Sequence, residues 1–387
     1  MHVVIVGGGF AGIKTALELS KRHTGSITLI SDRSYFLHQA TLYATATGKS
    51  TEESVIPLPL MFAEHRAVEI VEDSIESLDP QRHLIRGEHG TYHYDKLVLA
   101  LGSTTSFKGI KGLSRHAFGV STLDEVREFQ DHIHDSIVTK QLDPTFYVIG
   151  AGLTGVEVAA ALHEHVTTLA SLYRRKKSNA KVVLVEAESR ILPHASKTAS
   201  RLATKHLERI GVTVRVDHTV TELNETTITV NGRLSPSSAA IWTSGATNNP
   251  FYTKNKGYFS LNKAGRVMVN PYLEALDDVY VIGDNNDVHY SGMALPALRQ
   301  AKHVAKNISR LAAKRVQLPF RPSSVPVSFP VGARWGYAEW YGLYVAGVTG
   351  KTVRRLMELH SYCQLLPLKS ALPIWRSHDV TDVDDRF

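Results

Sequence analysis

A glycine motif that occurs twice constrains the fold of this 387-residue chain more than any other feature. The glycines are Gly7, Gly9 and Gly12 within VVIVGGGFAGIKTALEL at residues 3–19, and Gly150, Gly152 and Gly155 within YVIGAGLTGVEVAAAL at residues 147–162. In a Gly-x-Gly-x-x-Gly turn, the first glycine permits a tight turn, the second admits a pyrophosphate, and the third lets the helix pack on the strand. Each copy follows an apolar β-branched run and precedes a helical pattern. The sequence therefore predicts two dinucleotide sites in one chain.

An acidic residue near the end of the strand after each motif is a candidate partner of an adenosine ribose. In KVVLVEAESR this residue is Glu186, whose carboxylate would accept a hydrogen bond from a ribose 2′-hydroxyl and repel a 2′-phosphate. Glu186 favours NADH over NADPH, although Arg190 and the basic run at 174–177 could accommodate the extra phosphate. In SITLISDR the strand ends at Ser31 and Asp32 follows, so either could reach the ribose, and we predict Asp32.

Cysteine and histidine usage excludes several kinds of redox and metal site. Cys363 is the only cysteine in the chain, so there is no disulfide, no thiolate metal site and no Cys-x-x-Cys pair. No His-Glu-x-x-His motif occurs, and His163 and His165 would face different sides of a helix. We therefore expect no metal site, and we expect that electrons do not leave through a dithiol.

The composition is that of an ordinary globular protein, long enough for two or three domains. The chain begins with a predicted strand at His2, so we expect no signal peptide and a location on the cytoplasmic side. No stretch approaches the roughly 18 uninterrupted apolar residues of a membrane span. We expect no nucleic-acid partner.

The organisation of the chain suggests a duplicated architecture. DKLVLALGS at 95–103 and AAIWTSGAT at 239–247 are strands that end in Gly102 and Gly245, and DVYVIGDNND supplies Gly283 and Asp284. Between the two motifs, residues 121–137 form a predicted amphipathic helix capped by Ser121 or Thr122. The predicted fold is α/β, with two Rossmann-like dinucleotide-binding domains, one inserted in the other, plus a small C-terminal segment. The predicted boundaries are 1–115 with 248–324 for the first domain, 116–247 for the second and 325–387 for the C-terminal segment, with RPSSVPVSFP at 321–330 as the linker.

The order of the motifs GGGFAG, ALGS, GAGLTGVE, WTSG and VYVIGD resembles the two-dinucleotide-domain flavoproteins, the superfamily that includes the pyridine nucleotide-disulfide reductases. Within it, the chain is most similar to the type II NADH dehydrogenases, which are single-chain NADH:quinone oxidoreductases. SYFLHQATLYATATG at 34–48 resembles their tyrosine- and glutamine-bearing helix beside the flavin, and GAGLTGVEVAAAL resembles their NADH fingerprint. The resemblance is close over about residues 1–310 and loose over the last seventy or so.

This resemblance implies that the first motif holds FAD and the second NADH, with the two redox rings meeting between the domains. The implied FAD-binding residues are Gly7, Gly9, Gly12, Asp32, Gly102, Gly283, Asp284 and Leu295. The implied NADH-binding residues are Gly150, Gly152, Gly155, Glu186 and Gly245. Glu157 and Gln39 are the implied catalytic residues, although Glu157 could instead only complement the helix dipole and Asp284 could be an ordinary turn residue. Pro296 is predicted at the first position of a helix whose N-terminus faces the flavin.

The electron acceptor is the least constrained part of this interpretation. The quinone-side signature of the family is Ala-Gln-x-Ala-x-Gln, and Leu295 and Arg299 replace its two glutamines here. An apolar slot beside Gln39 and Tyr43 would still suit a quinone, so the predicted quinone-side residues are Tyr43, Leu295 and Arg299. A soluble NADH oxidase or diaphorase that uses oxygen and a flavin-bound regulatory protein are the alternatives.

The C-terminal segment combines positive charge with aromatic residues. Residues 314–376 contain nine Lys or Arg and two Glu, with Trp335, Trp340, Tyr341 and Trp375 interleaved. Leu356, Leu359, Cys363 and Leu366 recur at helical spacing. The pattern predicts peripheral binding to an anionic membrane surface, on the inner face of the cell membrane. A dimer face and a helix packed on the FAD domain are alternatives, and we expect a homodimer.

Overall fold

The computed structural model describes residues 1–140, 143–173 and 179–381. Its strands are β1 His2–Val6, β2 Ser26–Ser31, β3 Tyr35–Leu37, β4 Val55–Pro57, β5 Val68–Glu72, β6 Ile75–Asp79, β7 Leu84–Gly87, β8 Thr91–His93, β9 Lys96–Leu99, β10 Ser103–Thr105, β11 Ala117–Phe118, β12 Thr145–Ile149, β13 Lys181–Val185, β14 Thr213–Arg215, β15 Val220–Leu223, β16 Thr227–Val230, β17 Arg233–Pro236, β18 Ala239–Trp242, β19 Ala246–Asn248, β20 Glu274–Leu276, β21 Val279–Val281, β22 Val327–Pro330, β23 Gly336–Trp340 and β24 Leu343–Gly347. Its α-helices are α1 Phe10–Lys21, α2 Leu42–Thr45, α3 Leu58–Phe62, α4 Leu113–His116, α5 Leu123–Asp135, α6 Leu153–Leu172, α7 Lys197–Ile210, α8 Pro250–Lys254, α9 Ala294–Ala312, α10 Val348–Leu365 and α11 Leu368–Arg376.

Two largely parallel sheets each contain one of the glycine motifs. The first has the order β20-β21-β9-β1-β2-β5, and only its β20–β21 pair is antiparallel. The second has the order β11-β18-β12-β13-β14 and is parallel throughout. In each sheet the strand before the motif, β1 or β12, lies in the interior, which explains its continuous apolar run. The predicted α/β fold class is confirmed.

Both sheets are covered on two faces. One face of the first sheet packs against α1 and α9, and the other packs against a cluster that contains Phe251, Tyr252 and Phe259. The second sheet packs against α5, α6 and α7 on one face and against the small β15-β16-β17 sheet on the other. Of the two caps that the sequence left open for α5, Thr122 is the N-cap, and its hydroxyl accepts from the backbone N–H of Glu125.

The strands that leave the two sheets pair with each other. β10, which follows Gly102, pairs antiparallel with β19, which follows Gly245, in the register Ser103↔Asn248. The backbone N–H of Ser106 also donates to the carbonyl of Gly245, at 2.8 Å. The two strand-and-glycine exits that the sequence indicated are therefore joined as a two-stranded ribbon between the sheets.

The C-terminal segment is built into both cores. Phe329, Val331 and Tyr337 are buried in the cluster that includes α6 and α7, whereas Tyr362, Leu365, Leu366 and Ala371 are buried in the cluster that includes α1 and α9. The predicted linker at 321–330 is wrong in its second half, because Val327–Pro330 forms β22 with Phe329 fully buried. Among the residues described, no helix combines the length and the apolar character needed to cross a bilayer.

Candidate active site

The first glycine motif has the geometry that a bound dinucleotide requires. Gly7 has a φ of +118°, and a Cβ there would overlap the carbonyl oxygen of Ala100. A Cβ at Gly12 would overlap the carbonyl oxygen of Gly7, because the helix packs directly on the turn. At Gly9, by contrast, an added Cβ would meet nothing within 4 Å. The middle glycine thus faces open space, where a pyrophosphate needs to approach the backbone.

The second motif repeats this arrangement. A Cβ at Gly150 would overlap Ser244, and one at Gly155 would overlap the carbonyl oxygen of Gly150, whereas Gly152 again faces open space. Gly9 and Gly152 are the N-caps of α1 and α6, and neither helix has a side-chain hydrogen bond at its cap. Free N–H groups at a helix N-terminus attract an anion. Both sites therefore fit the pyrophosphate of a dinucleotide.

Glu186 lies at the second motif, directly after β13. Its Oε2 accepts from the backbone N–H of Ala151 at 2.6 Å, and its Oε1 accepts from the N–H of Glu188 at 3.1 Å. Arg190, the proposed partner of a 2′-phosphate, instead donates to the carbonyls of Leu192, at 2.9 Å, and Ala195, at 3.0 Å. Its guanidinium is therefore hydrogen-bonded to the backbone. The basic run at 174–177 lies outside the described residues.

At the first motif, Asp32 is the acidic group that solvent reaches. Its side chain is 58% exposed and forms an ion pair with Arg33 at 2.9 Å. Ser31 is buried, and its hydroxyl lies so close to Gly8 that a Cβ there would overlap it. Of the two candidates that the sequence left open, Asp32 offers a carboxylate at the surface of the site.

A hydrogen-bonded turn from Gly283 to Asn286 closes the other side of the first site. Asn285 is fully buried, accepts from the N–H of Gly102 at 2.9 Å and donates to the Gly102 carbonyl at 2.7 Å. Gln300 is also fully buried and accepts from the N–H of Gly283 and from the amide of Asn286, each at 2.8 Å. Sequence reasoning missed these two residues as parts of the site. The polar run GDNND was the only signal for Asn285. Gln300 directly follows Arg299, the position of the second signature glutamine, but its rotation of about 100° around the helix argued against a role there.

Asp284 is half-buried in the same turn. It accepts a hydrogen bond from Ser103 at 3.2 Å. Burial raises the pKa of its carboxyl, and the Ser103 hydroxyl partly offsets that rise. The group therefore points into the space between the turn and β10.

Helix α9 begins two residues before the predicted start. Its first residue is Ala294 and its N-cap is Met293, so the prediction of Pro296 at the first position is wrong. The cap again lacks a side-chain hydrogen bond, so the N–H groups of this end remain available. Leu295 is half-buried there. Arg299 donates to the Ser323 hydroxyl at 2.7 Å and to the carbonyls of Ser323 and Ser324 at 3.2 Å, which directs it at the linker.

The stretch at 34–48 is not the single helix that the resemblance implied. It consists of strand β3, a turn and the short helix α2. Gln39 is exposed in the turn and donates to the carbonyl of Ser121 at 3.0 Å. Tyr43 is buried in α2 within the cluster that includes α6, and this burial raises the pKa of its phenol. The two residues therefore lie between the two sheets.

Glu157, in the first turns of α6, forms an ion pair with a residue of the C-terminal segment. Its Oε1 lies 3.5 Å from the guanidinium of Arg354, which belongs to α10; the Glu157 side chain is buried and that of Arg354 is 13% exposed. Burial raises the pKa of Glu157 to about 7; the charge of Arg354 opposes the rise, and that of Glu358 adds to it. Glu157 is therefore a carboxyl group that can exchange a proton near neutral pH.

Arg354 joins four segments at this point. Besides Glu157, it bonds to Glu358 at 2.7 Å, to the carbonyl of Ser328 in β22 at 2.8 Å and to the carbonyl of Ala40 at 3.0 Å. Ala40 follows Gln39 directly, so the C-terminal segment holds the loop that carries Gln39. The sequence gave no reason to place Arg354 here, because its partners lie up to 314 residues away.

Further charged pairs extend from this centre. Glu358 also pairs with Arg355, which bonds to Glu53 at 2.5 Å, and Glu53 in turn accepts from His378 at 2.5 Å. Although burial raises the pKa of Glu358, Arg354 and Arg355 lower it to about 2. Glu358 is therefore a permanent anion that holds the two arginines.

Comparison with known proteins gives a consistent result. A family model described as pyridine nucleotide-disulphide oxidoreductase matches residues 1–306. The type II NADH:quinone oxidoreductase of Staphylococcus haemolyticus is 27% identical over 380 residues, which cover 92% of this chain and 94% of that protein.

Two solved structures share the fold. NDH2 from Plasmodium falciparum, solved in complex with NADH, superposes with a TM-score of 0.84 at 15% identity and 97% coverage of both chains. The sulfide:quinone oxidoreductase of Aquifex aeolicus gives a TM-score of 0.79 at 18% identity, over 95% of this chain and 92% of that one. The resemblance that the motifs indicated is confirmed, and it extends through the C-terminal segment, which the motifs matched only loosely.

Proposed function

We propose that this chain, which belongs to the pyridine nucleotide-disulphide oxidoreductase family, is an FAD-dependent oxidoreductase. It takes a hydride from NADH and passes the electrons to a quinone, without pumping protons. One observation carries the proposal. A single chain contains two glycine motifs with open middle glycines, and it matches type II NADH:quinone oxidoreductases over nearly its whole length.

The first motif and its surroundings suit FAD. We assign FAD to the unit 1–115 with 248–324, where Gly9 leaves room for the pyrophosphate and the α1 N-terminus attracts it. Asp32 offers a carboxylate to the ribose. The backbone of Gly102 and the turn at Gly283 and Asp284 would hold the rest of the cofactor, with the α9 N-terminus at Leu295 beside it. When bound, FAD supplies the hydride acceptor and the carrier of electrons to the final acceptor.

The second motif suits NADH. We assign NADH to the unit 116–247, with its pyrophosphate at Gly152 and its adenosine ribose at Glu186. Because Arg190 donates to backbone carbonyls, we do not assign it to a 2′-phosphate. Gly245, at the exit to β19, would contact the nicotinamide half. Glu157 lies in the first turns of α6 and would hold or release a proton between the two cofactors.

The acceptor is assigned by chemistry. Cys363, the only cysteine, is exposed on α10, so a cysteine pair cannot carry the electrons. An apolar slot formed by Tyr43 and Leu295, with Gln39 at its edge, would suit a quinone headgroup. Arg299 donates a hydrogen bond to Ser323 in the linker. We therefore propose that Arg299 holds the linker against α9 and does not contact the quinone.

We propose that the segment 325–387 attaches the protein to an anionic membrane surface, where its quinone would be dissolved. The hairpin β23–β24 exposes Trp340, Tyr341 and Leu343, at 52, 77 and 81%. These apolar side chains belong to the same positively charged segment as α10, and exposed aromatic residues together with positive charge favour binding to a membrane interface. A homodimer formed through this hairpin would compete with the membrane for the same residues.

An anaerobic two-step experiment tests the proposed reaction. We expect the purified protein to carry non-covalent FAD, whose absorbance NADH bleaches faster than NADPH does in stopped flow. A soluble quinone added to the reduced protein should restore the absorbance faster than air does. Reoxidation that is faster in air would instead indicate a soluble NADH oxidase, and a protein that takes up no flavin would exclude the proposal altogether.

A further inference from the structure

A cavity of about 590 Å³ opens on the C-terminal segment, away from both glycine motifs. Its walls come from α10, from the end of α11 with the turn after it, and from the loop between β22 and β23. Its volume lies within the range typical of ligand sites. None of the residues that we assign to FAD, NADH or quinone lines it.

Positive side chains line the cavity. They are Arg334, Lys351, Arg355 and Arg376. Arg355 is already paired with Glu53 and Glu358. For the other three, no described side chain supplies a carboxylate at ion-pair distance. Lys351 is the most buried of them; burial lowers the pKa of its amine, and the charges of Glu358 and Glu157 partly restore it. The cavity therefore has positive charge to offer to a ligand.

The remaining wall of the cavity is mostly apolar, with Thr352 and His378 as its polar members. Val348 and Leu356 line the cavity one above the other on α10, although they are 70 and 54% exposed. Trp375 lines it from α11, where its ring lies 5.0 Å from the guanidinium of Arg355 and its indole N–H donates to the Arg355 carbonyl at 2.7 Å. The cavity thus offers cations and an apolar wall to the same ligand.

The apolar wall continues into the exposed hairpin. Val348 is the first residue of α10 and directly follows β24, the strand that begins with the exposed Leu343. A ligand with an anionic head and a hydrocarbon tail could therefore place its head in the cavity and its tail along Val348 toward the hairpin. A free anion would leave this wall exposed to water, and a neutral quinone would leave the cations without a partner.

We propose that this cavity binds the phosphate headgroup of an anionic phospholipid, with Arg334, Lys351 and Arg376 around the phosphate and an acyl chain along Val348 and Leu356. The assignment rests on the proposed attachment to membranes and adds a specific lipid site to it. Bound lipid would fix the orientation of α10, and therefore of Arg354, relative to the membrane surface.

The test compares two variants that each remove two positive charges from the full-length flavoprotein. The first is Arg334→Gln with Arg376→Gln, in the cavity. The matched control is Arg321→Gln with Lys369→Gln, which are exposed in the linker and on α11 and do not line the cavity. Binding is measured by flotation with vesicles of phosphatidylcholine alone and of phosphatidylcholine mixed with phosphatidylglycerol, at one ionic strength.

We expect the wild type to bind the mixed vesicles, the cavity variant to lose at least about tenfold in affinity, and the control to lose much less. An equal loss in the two variants would show diffuse attraction only and would overturn the site. The free anion is tested by adding inorganic phosphate without vesicles and following tryptophan fluorescence. If phosphate changes the fluorescence, Trp375→Phe abolishes that change, and wild type and cavity variant bind vesicles equally, the cavity binds free phosphate and the lipid proposal is overturned.

Turnover of NADH with a soluble quinone separates this proposal from the proposed function. Both variants should keep wild-type turnover, because neither touches a residue of the reaction. Cavity-dependent vesicle binding by a protein without quinone turnover would sustain the lipid site and reject the reaction. Normal turnover by a wild-type protein that binds neither kind of vesicle would sustain the reaction and reject the lipid site.

Discussion

Arg354 illustrates how one residue can connect parts of a site that are distant in sequence. It contacts Glu157, Glu358, Ser328 and Ala40 while only 13% of its side chain is exposed. Removal of one partner from a buried charge cluster leaves the others without compensation. We therefore expect Arg354→Gln to lower the free energy of unfolding by about 3–5 kcal/mol, measured by denaturant titration, and Arg354→Lys to lower it less. Arg321→Gln, at an exposed position, is the control, and an equally small effect of all three variants would contradict this role.

Glu157 gives a pH-dependent prediction. Burial raises its pKa to about 7 in the folded protein, above the value of 4.5 expected in the unfolded chain. The folded state thus holds this proton more tightly, so Glu157 destabilises the fold progressively as the pH rises from 4.5 to about 7. The glutamine in Glu157→Gln is neutral at every pH, so the variant does not lose this stability as the pH rises. The stability of the variant relative to wild type should increase across that window and level off above it.

Unfolding titrations at several pH values check this prediction. Glu208→Gln, an exposed position on α7, provides the control and should show no such trend. A stability difference between Glu157→Gln and wild type that is independent of pH would show that Glu157 does not titrate in this range.

At the residue scale, the sequence predicted what local motifs encode. The six glycines, Glu186 and Asp284 all lie at a strand end or in the turn and first helical residues that follow it, so their surroundings follow from a few neighbouring residues. Gln300 and Arg354 differ, because each acquires its role from partners brought close only by the complete fold. Their neighbourhoods in the sequence are ordinary helices, which carry no sign of a buried polar contact.

At the scale of elements, the two motif helices offer a matched pair of substitutions. Gly152 faces open space at the α6 N-terminus, whereas a Cβ at Gly155 would overlap the carbonyl oxygen of Gly150. We expect Gly152→Ala to keep the wild-type unfolding midpoint and to weaken NADH binding by roughly tenfold, about 1.4 kcal/mol. Gly155→Ala should instead lower the midpoint of unfolding. Titration calorimetry and thermal unfolding check both variants, and the reverse pattern would show that the two glycines have other roles.

Element boundaries were predicted well where a cap or a glycine marked them. Thr122 caps α5 as expected, with Glu125 completing the reciprocal hydrogen bond. The start of α9 was misplaced because proline is favoured at the first helical position, whereas Pro296 here occupies the third. Strand β22 was missed because its prolines suggested a linker. β22 pairs only with β23 at the edge of a three-stranded sheet, where proline is tolerated.

At the scale of the whole molecule, the C-terminal segment is a structural part of the enzyme rather than an appendage. The stripe of Leu356, Leu359, Cys363 and Leu366 divides between core and surface. Leu366, which follows α10, is buried and Leu359 packs on the core that includes α1 and α9, as in the alternative of a helix packed on the FAD domain, whereas Leu356 and Cys363 are exposed. Trp335 stacks on His206 rather than facing outward. Truncation after Pro330 would remove Tyr337 and Tyr362, whose buried side chains help to fill the two cores, so loss of activity on truncation would not isolate a membrane role.

Substitutions in the hairpin isolate that role, because they leave both cores intact. Trp340→Ser, Tyr341→Ser and Leu343→Ser together remove the most exposed apolar side chains of the hairpin. If these side chains enter the bilayer interface, the triple variant should bind anionic vesicles more weakly by an order of magnitude or more. Turnover with a lipid-dissolved quinone should fall in parallel, whereas turnover with a soluble quinone should match wild type because the site between the two sheets is unchanged.

The control for the hairpin is a triple variant with exposed apolar residues changed elsewhere, namely Leu234→Ser, Tyr258→Ser and Val316→Ser. It should bind vesicles and turn over both quinones like wild type. Equal vesicle binding by the hairpin variant and wild type would reject insertion of the hairpin. If the hairpin variant also changed from dimer to monomer in sedimentation, the exposed side chains would belong to a subunit interface, because a surface buried between two copies cannot enter a bilayer.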